Sequence, residues 1–382
     1  MLDPETRTLF LDTTQKFVNE VLIPAEAEVS ETDQIPDTIV SQMKDLGLFG
    51  LSIPEEFGGL GLSMTDEVEV AMILGQASPA FRSLAGTNIG IGSQAIIFGG
   101  TDDQRRTYLP PMASGDLIGS FALTEPDVGS DAASVKTSAR KTDGGYVLNG
   151  TKRFITNAPE AGLFTVMART GGAGAKGVSC FLVEADSTGL SVGAWDKKMG
   201  QKGAHTADVI LDDCFVPDDA LLGGQEGTGF TAAMRTLDKG RLHISAICAG
   251  AARRLMDEAL RYSVERQQFG KPIAEFQLVQ AMLAESQTEI YAAESMIRDA
   301  ARQRDDGEDT GMLASCCKLY ASEMVGRVAD RAVQIFGGAG YMADYPIERF
   351  YRDVRLFRLY EGTSEIQKII IAKAMIRRLK QS

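Results

Sequence analysis

The spacing of apolar residues changes twice along this chain, and that segregation limits the fold more than any single motif. Up to about residue 119 the apolar positions recur at helical spacing, over about 3 to 28, 36 to 48, 64 to 77 and 101 to 113. Pro24, Pro54, Gly58, Gly59, Gly61 and the Pro110-Pro111 pair punctuate them. From about 120 to 226 short alternating and β-branched runs take over. Asp143-Gly144-Gly145 precedes Tyr146-Val147-Leu148, Asn149-Gly150 precedes Thr151 to Ile155, and Gly177 to Val183 and Ala207 to Leu211 read as further strands. From about 227 helical spacing returns, with Phe276, Val279, Leu283, Ile290 and Ile297 on one stripe that suits a core or a subunit interface. A chain so divided has no repeating βα units. It predicts an α+β protein: an N-terminal α-helical domain (1–119), a middle antiparallel β domain (120–226) and a C-terminal four-helix-bundle domain (227–382). No Gly-x-Gly-x-x-Gly follows a strand and opens a helix, which argues against a Rossmann dinucleotide domain.

Composition narrows the chemistry. A length of 382 residues can bury two or three domain cores, and a net charge of −13 argues against a general nucleic-acid-binding surface. No apolar run approaches the roughly eighteen residues that a membrane span needs, and the first residues lack the pattern of a secretory signal, so a cytoplasmic protein with no membrane partner is expected. Five cysteines without CxxC spacing and two histidines, His205 and His243, support no disulfide framework, no metal site and no Ser-His-Asp triad. The work falls to carboxylates or to a cofactor.

Five segments carry candidate chemistry. Arg358 to Gln367 places Glu361 just before a helix for which Ser364 and Gln367 form a capping-box pattern, leaving that carboxylate free to act as a base or merely to be solvated. Phe121 to Asp131 runs from a short strand into Pro126, Gly129 and Ser130; its backbone and hydroxyls suit a flat heteroaromatic ligand, or an ordinary serine turn. Phe154-Ile155-Thr156-Asn157 sets an aromatic and a hydroxyl two residues apart, a ring-binding wall or β core. Arg266 to Gln277 offers Arg266 as a diphosphate clamp or as a helix-end cation. Gln334 to Tyr341 breaks a helix with glycines that allow close ligand approach or simply end it.

Together these segments, as LTEPDVGSD, FITN, RQQFGKPIAEFQ, QIFGGAGY and YEGTSEIQ, resemble the acyl-CoA dehydrogenase family in order and over essentially the whole chain. The resemblance implies FAD-dependent conversion of a short- or medium-chain acyl-CoA to a trans-2-enoyl-CoA, Glu361 taking the α-proton and the flavin N5 accepting the β-hydride. It implies that Phe121, Leu123, Thr124, Ser130, Phe154 and Thr156 line the flavin. Arg266, Phe269, Gln277, Gln334, Gly337 and Gly338 would hold FAD across a subunit boundary, while Thr363 and Glu365 would contact it beside the base. Many members carry Trp where this chain has Phe154. Asp238, Arg241, Ser130 and Gly362 would contact the CoA ester, from a segment, Leu237 to Arg241, that resembles the family's substrate-side helix start. In the family the backbone N–H of the catalytic glutamate and a flavin ribityl hydroxyl stabilise enolate charge on the thioester carbonyl. The implied assembly is a homotetramer built as a dimer of dimers, with an electron-transfer flavoprotein as electron acceptor. A subset of the family draws its base from the position before the helix arginine; Gly240 stands there, leaving Glu361 without a rival.

Arg82, in Ala80-Phe81-Arg82-Ser83, sits in a context similar to that of glutaryl-CoA dehydrogenases, where an arginine pairs with the distal carboxylate. An Arg82 facing the acyl pocket would favour an anionic acyl terminus; one paired with a neighbouring helix carboxylate would leave room for a plain chain. A non-catalytic CoA-ester or flavin-binding scaffold and an oxidase that reduces O₂ directly are the other readings of the same chain.

Overall fold

The computed structural model describes residues 3–381. Seven α-helices form the N-terminal part: α1 (Pro4–Phe17), α2 (Ile23–Thr32), α3 (Asp37–Asp45), α4 (Met64–Leu74), α5 (Pro79–Thr87), α6 (Gln94–Gly99) and α7 (Asp102–Ser114). A π-helical turn at Val18–Leu22 joins α1 to α2, and another at Asn88–Gly92 follows α5. The α5–α6 stretch was not anticipated from the spacing, because Gly86, Gly90 and Gly92 interrupt its apolar pattern. It is nevertheless almost wholly buried, and Asn88 pins it: the Asn88 amide donates to the Phe49 and Met112 carbonyls and its oxygen accepts from Gly119 N at 2.7 Å. That last bond fixes where the sheet begins.

The middle part is a seven-stranded sheet, β1 (Gly119–Ala122), β2 (Ser138–Thr142), β3 (Gly145–Thr156), β4 (Leu163–Arg169), β5 (Val178–Glu184), β6 (Leu190–Val192) and β7 (Thr206–Pro217), in the order β1-β4-β2-β3-β7-β6 with β5 paired to β4. Most pairings are antiparallel, as hairpin turns demand, but β1 lies parallel to β4, Gly119 opposite Leu163. Unlike the hairpin strands, β1 arrives from the helical part, so no tight turn dictates its direction. β3 does not alternate cleanly either: its register against β7 slips between Lys152 and Ile155, and Phe154 sits in the slip with φ of 57°.

Four long helices, α8 (Gly229–Glu265), α9 (Gln277–Asp305), α10 (Gly311–Phe336) and α12 (Ser364–Gln381), with the short α11 (Pro346–Val354), make the last part. Ile290 and Ile297 of the predicted stripe are buried on α9, whereas Val279 and Leu283 are half-covered. One apolar core runs from α4 and α5 through α8 and α10, including Val68, Phe81, Ile247 and Val325. Asp305 at the end of α9 caps α4 by accepting from Met64 N at 2.7 Å and Thr65 N at 2.8 Å. The two helical parts therefore share one interior, and the candidate base lies where it meets the sheet.

Candidate active site

Glu361 lies on the turn just before α12. It and Gly362 both occupy left-handed backbone, with φ of 55° and 91°, a conformation that costs a non-glycine residue about 1–3 kcal/mol unless its surroundings impose it. Here they do. The Gln367 side-chain amide donates to the Glu361 carbonyl at 3.2 Å and the Gly362 carbonyl at 3.0 Å, and the Lys318 ammonium donates to the Gly362 carbonyl at 2.8 Å. Arg241 Nε lies 3.5 Å from the Glu361 carbonyl. Both carbonyls are thus engaged, while the Glu361 and Gly362 amides donate to no group among the described residues. The expected Ser364–Gln367 capping box is corrected. Thr363 caps α12, accepting from Ile366 N at 3.3 Å, and Ser364 donates instead to Glu323 at 2.6 Å. Gln367 lies one turn into α12, so its reach carries it back to the turn rather than to a cap.

The carboxylate itself is enclosed. Glu361 and Arg82 side chains are 7% and 5% exposed, with Arg82 Nη2 3.7 Å from Glu361 Oε1. Glu361 Oε2 and Arg82 Nε are buried without a hydrogen-bond partner. Gly240 makes the room: a Cβ there would stand 2.7 Å from Glu361 Oε2. Arg241 is buried and paired with Asp238, but the helix carrying them starts at Gly229, so they stand about three turns inside α8 rather than at its start as the resemblance implied. Apolar surroundings let α8 begin earlier, where Phe230 and Ala233 pack against the sheet side. Behind Arg82, fully buried Glu67 binds Lys239 at 3.2 Å and His243 Nδ1 at 3.0 Å. Burial pushes the Glu67 carboxyl up, yet Lys239 and then His243 outweigh it and hold it down at about 2. Burial, with Arg82 next, pushes the His243 imidazole down, against the pull of Glu67.

On the sheet side, Arg153 N donates to the Thr124 carbonyl at 2.8 Å and Ser120 Oγ to the Thr156 carbonyl at 2.6 Å. These bonds set the end of β1, with Phe121 and Leu123 buried, beside the Phe154–Thr156 bulge. Phe154 is 58% exposed on a positive-φ backbone, with the Arg153 guanidinium over its ring at 4.8 Å and the half-buried Thr124 and Thr156 flanking it. Lys152, fully buried, donates to the Leu123 carbonyl at 3.2 Å and Glu125 at 2.8 Å, fixing the same strand end. An exposed ring between two hydroxyls fits the flat heteroaromatic part of FAD. Ser130 lies exposed in the following turn, and Thr363 and Glu365 stand at the start of α12.

The other expected cofactor residues lie elsewhere. Gln267 and Gln268 pair back on Lys271–Pro272 through a turn at Phe269 and Gly270, with the Arg266 carbonyl accepting from Ile273 N, so α8 ends at Glu265 and a small hairpin projects beyond it. Phe269 at its tip is 93% exposed. Tyr262 stacks on Phe336 at 4.1 Å, so Gln334, Gly337 and Gly338 share this end of the bundle with Arg266, and Gln277 opens α9 there. Arg266 is about 37 Å along α8 from Arg241 at the ordinary helical rise. Within one chain the two groups cannot grip one part of a ligand together.

Sequence reasoning missed Lys318, Glu67 and Lys239, named His243 without a role at the site, and read Gln367 as a capping residue. Lys318 left a trace only as a polar residue on an otherwise apolar helix face.

Three family models match the chain in succession: acyl-CoA dehydrogenase N-terminal domain over 4–116, middle domain over 120–214 and C-terminal domain over 227–376. It is 38% identical, over 98% of its length and 91% of the relative, to the short-chain specific acyl-CoA dehydrogenase of Homo sapiens mitochondria. Its fold matches a glutaryl-CoA dehydrogenase from Mycobacterium smegmatis with a TM-score of 0.92 at 32% identity, covering 98% and 95% of the two chains. It likewise matches an acyl-CoA dehydrogenase from Bacillus anthracis complexed with FAD, with a TM-score of 0.93 at 33% identity, covering 100% and 70%. The chain belongs to the acyl-CoA dehydrogenase family, with its three-domain α+β fold, and is a flavin-dependent oxidoreductase that uses FAD. Among the described residues no helix is long and apolar enough to cross a membrane, and no cluster of His, Cys, Asp or Glu suits a metal.

Proposed function

We propose that this chain desaturates the α,β-bond of a short- or medium-chain acyl-CoA thioester, with Glu361 as the base that removes the α-proton. The observation that carries this reading is the enclosed Glu361 carboxylate, one oxygen unpartnered, on a clamped turn whose amides are unused. A thioester α-C–H is a weak acid, so a base must be held close and water kept away; burial supplies both. The unused Glu361 and Gly362 amides are donors suited to a thioester carbonyl on which charge builds. Phe121, Leu123, Thr124, Phe154 and Thr156, with Ser130, Thr363 and Glu365 at the margin, would hold FAD, which when bound would supply the hydride acceptor N5. Arg241, Asp238, Ser130 and Gly362 would orient the CoA ester.

Arg82 favours a second reading of the acyl group. Its guanidinium is buried in the base's own cavity, and Glu361 loses its charge when it takes the proton. A substrate with an anionic end, such as glutaryl-CoA, would supply the counter-charge at that moment. Purified holoenzyme mixed anaerobically with butyryl-, hexanoyl- and glutaryl-CoA tests both. Bleaching of the yellow flavin by the monoacyl esters establishes the plain substrate. Bleaching by glutaryl-CoA alone, lost in Arg82→Ala, establishes the anionic one. Absence of bleaching by any ester would leave a non-catalytic CoA-ester-binding scaffold and refute the proposal. Peroxide release in air would mark an oxidase rather than an enzyme that needs an electron-transfer flavoprotein.

The far-end residues support a homotetramer arranged as a dimer of dimers, in which Arg266, Phe269, Gln277, Gln334, Gly337 and Gly338 serve a neighbouring subunit's FAD. Phe269, Leu278 and Tyr341 are exposed apolar groups that a second copy would cover.

A further inference from the structure

Lys318 has no place in the chemistry described so far. Its side chain is completely buried on α10, yet among the described residues it forms no ion pair. Its hydrogen-bond partner is the Gly362 carbonyl at 2.8 Å. An ammonium out of water without a carboxylate partner is costly, so a protein that keeps one gains little stability from it. The nearby carboxylates are otherwise engaged: Glu323 accepts from Ser364 at 2.6 Å and lies 3.4 Å from Arg358, and Glu361 faces Arg82. Burial lowers the pKa of the Lys318 ammonium, while Cys248, Glu361 and Glu323 draw it back up. Its charge thus acts directly on the turn that carries the base.

Geometry concentrates that action. Lys318 and Gln367 hold the Gly362 carbonyl between them, and Gln367 also holds the Glu361 carbonyl. With both carbonyls drawn toward the α10–α12 side, the two left-handed residues leave their amides unbonded. A donor on a carbonyl polarises the peptide unit to which that carbonyl belongs, so Gln367 on the Glu361 carbonyl strengthens the Gly362 N–H as a donor and Lys318 on the Gly362 carbonyl strengthens the Thr363 N–H. The same cation favours any negative charge that develops nearby in a site closed to water.

We propose that Lys318 is a positioning and electrostatic residue of the reaction: it fixes the Glu361–Gly362 turn and supplies buried positive charge that stabilises the enolate formed as the α-proton leaves. This inference rests on the reading of Glu361 and its turn as the site of proton removal. The step is a proton transfer alone. The α-C–H bond breaks, its electron pair delocalises onto the thioester carbonyl, and the proton passes to Glu361 or to water.

The test uses the FAD-loaded enzyme with acetoacetyl-CoA, whose α-proton is acidic enough to ionise without desaturation and whose enolate is seen by its own ultraviolet absorbance. Wild type, Lys318→Arg and Lys318→Gln are titrated with pH, and the dissociation constant of crotonyl-CoA is measured alongside, since that ester has no enolate to form. Lys318→Gln keeps a donor for the Gly362 carbonyl but removes the charge. The expected result is an ionisation constant for the bound ligand about tenfold weaker in Lys318→Gln, one pH unit higher, restored in Lys318→Arg, with crotonyl-CoA affinity changed less than threefold. Equal ionisation in wild type and Lys318→Gln would overturn the inference and leave the reading of Glu361 standing. Failure of acetoacetyl-CoA to bind or ionise in wild type would instead sink that reading. Should Lys318→Gln fail to fold, Lys318→Arg decides: with the charge kept and the reach changed, it must ionise the ligand within threefold of wild type, and a tenfold loss overturns the proposal.

Discussion

Replacing Gly240 by alanine separates catalysis from stability at one atom. The added methyl would meet Glu361 Oε2 at 2.7 Å, about 0.7 Å inside the 3.4 Å at which ordinary contact begins, and Glu361 Cδ at 3.4 Å. The next nearest atom is Ile91 Cγ2, at a comfortable 3.7 Å. The atom that must yield is thus the end of a flexible side chain, and no backbone is pressed. Alanine also suits the interior of α8 better than glycine, by roughly 0.5–1 kcal/mol. Stability should therefore hold or rise slightly. The base, by contrast, must swing aside by most of an ångström, and misplacement of about 1 Å costs on the order of 100-fold in rate when reacting atoms depend on alignment. We expect anaerobic flavin bleaching in stopped flow to slow by about 10- to 100-fold. Crotonyl-CoA affinity, FAD content and the urea midpoint should stay near wild type. A Gly240→Ala protein that bleaches within twofold of wild type would refute the reasoning, because the carboxylate displaced would then not be the one that reacts.

Two further perturbations probe the charges packed around the site. Asp353 is buried against Gln201 N, and burial pushes its carboxyl up from the ordinary carboxylate range to about 6. The folded state therefore holds this proton more tightly than the unfolded one, so the group's contribution is fully present below about pH 4 and lost as pH rises through about 6, up to about 3 kcal/mol in all. Asp353→Asn should lose less stability than wild type between pH 4 and 7 in urea titrations, and an identical loss would contradict this. Glu67→Gln removes the only charge that Lys239 meets within 4 Å among the described residues, leaving a buried cation unpaired. It should lower unfolding free energy at pH 7 by about 3–5 kcal/mol; unchanged urea midpoints would show that Lys239 had already escaped to water.

Much of this was legible before any coordinates. The two changes of period reflect how helices and strands meet a core, every fourth residue against every second, and that pattern survives without detail. It carried the three-part architecture and, through the five segments, the family. What could not be read depended on contacts between residues far apart in the chain. Gln367 was visible three residues after Ser364, but its partners are carbonyls behind it, since Thr363 took the cap. Lys318 lies 43 positions from Glu361 in number, and nothing in the apolar face of α10 announces that its ammonium reaches Gly362. Gly92, in the turn between α5 and α6, read as a break because its role is close packing: a Cβ there would come within 3.1 Å of Gly119. Arg82 was singled out by context, whereas the alternatives of open pocket or helix carboxylate missed a third possibility, that the carboxylate it faces is the base itself.

The most direct measurement is the rate at which an acyl-CoA bleaches the flavin of Glu361→Gln under anaerobic conditions. Glutamine preserves the size of the side chain and the clamps on its backbone while removing the proton acceptor. General-base catalysis contributes about 10²–10⁴-fold, so the account predicts a fall of at least 100-fold with FAD content and crotonyl-CoA affinity retained. Bleaching at the wild-type rate would contradict it.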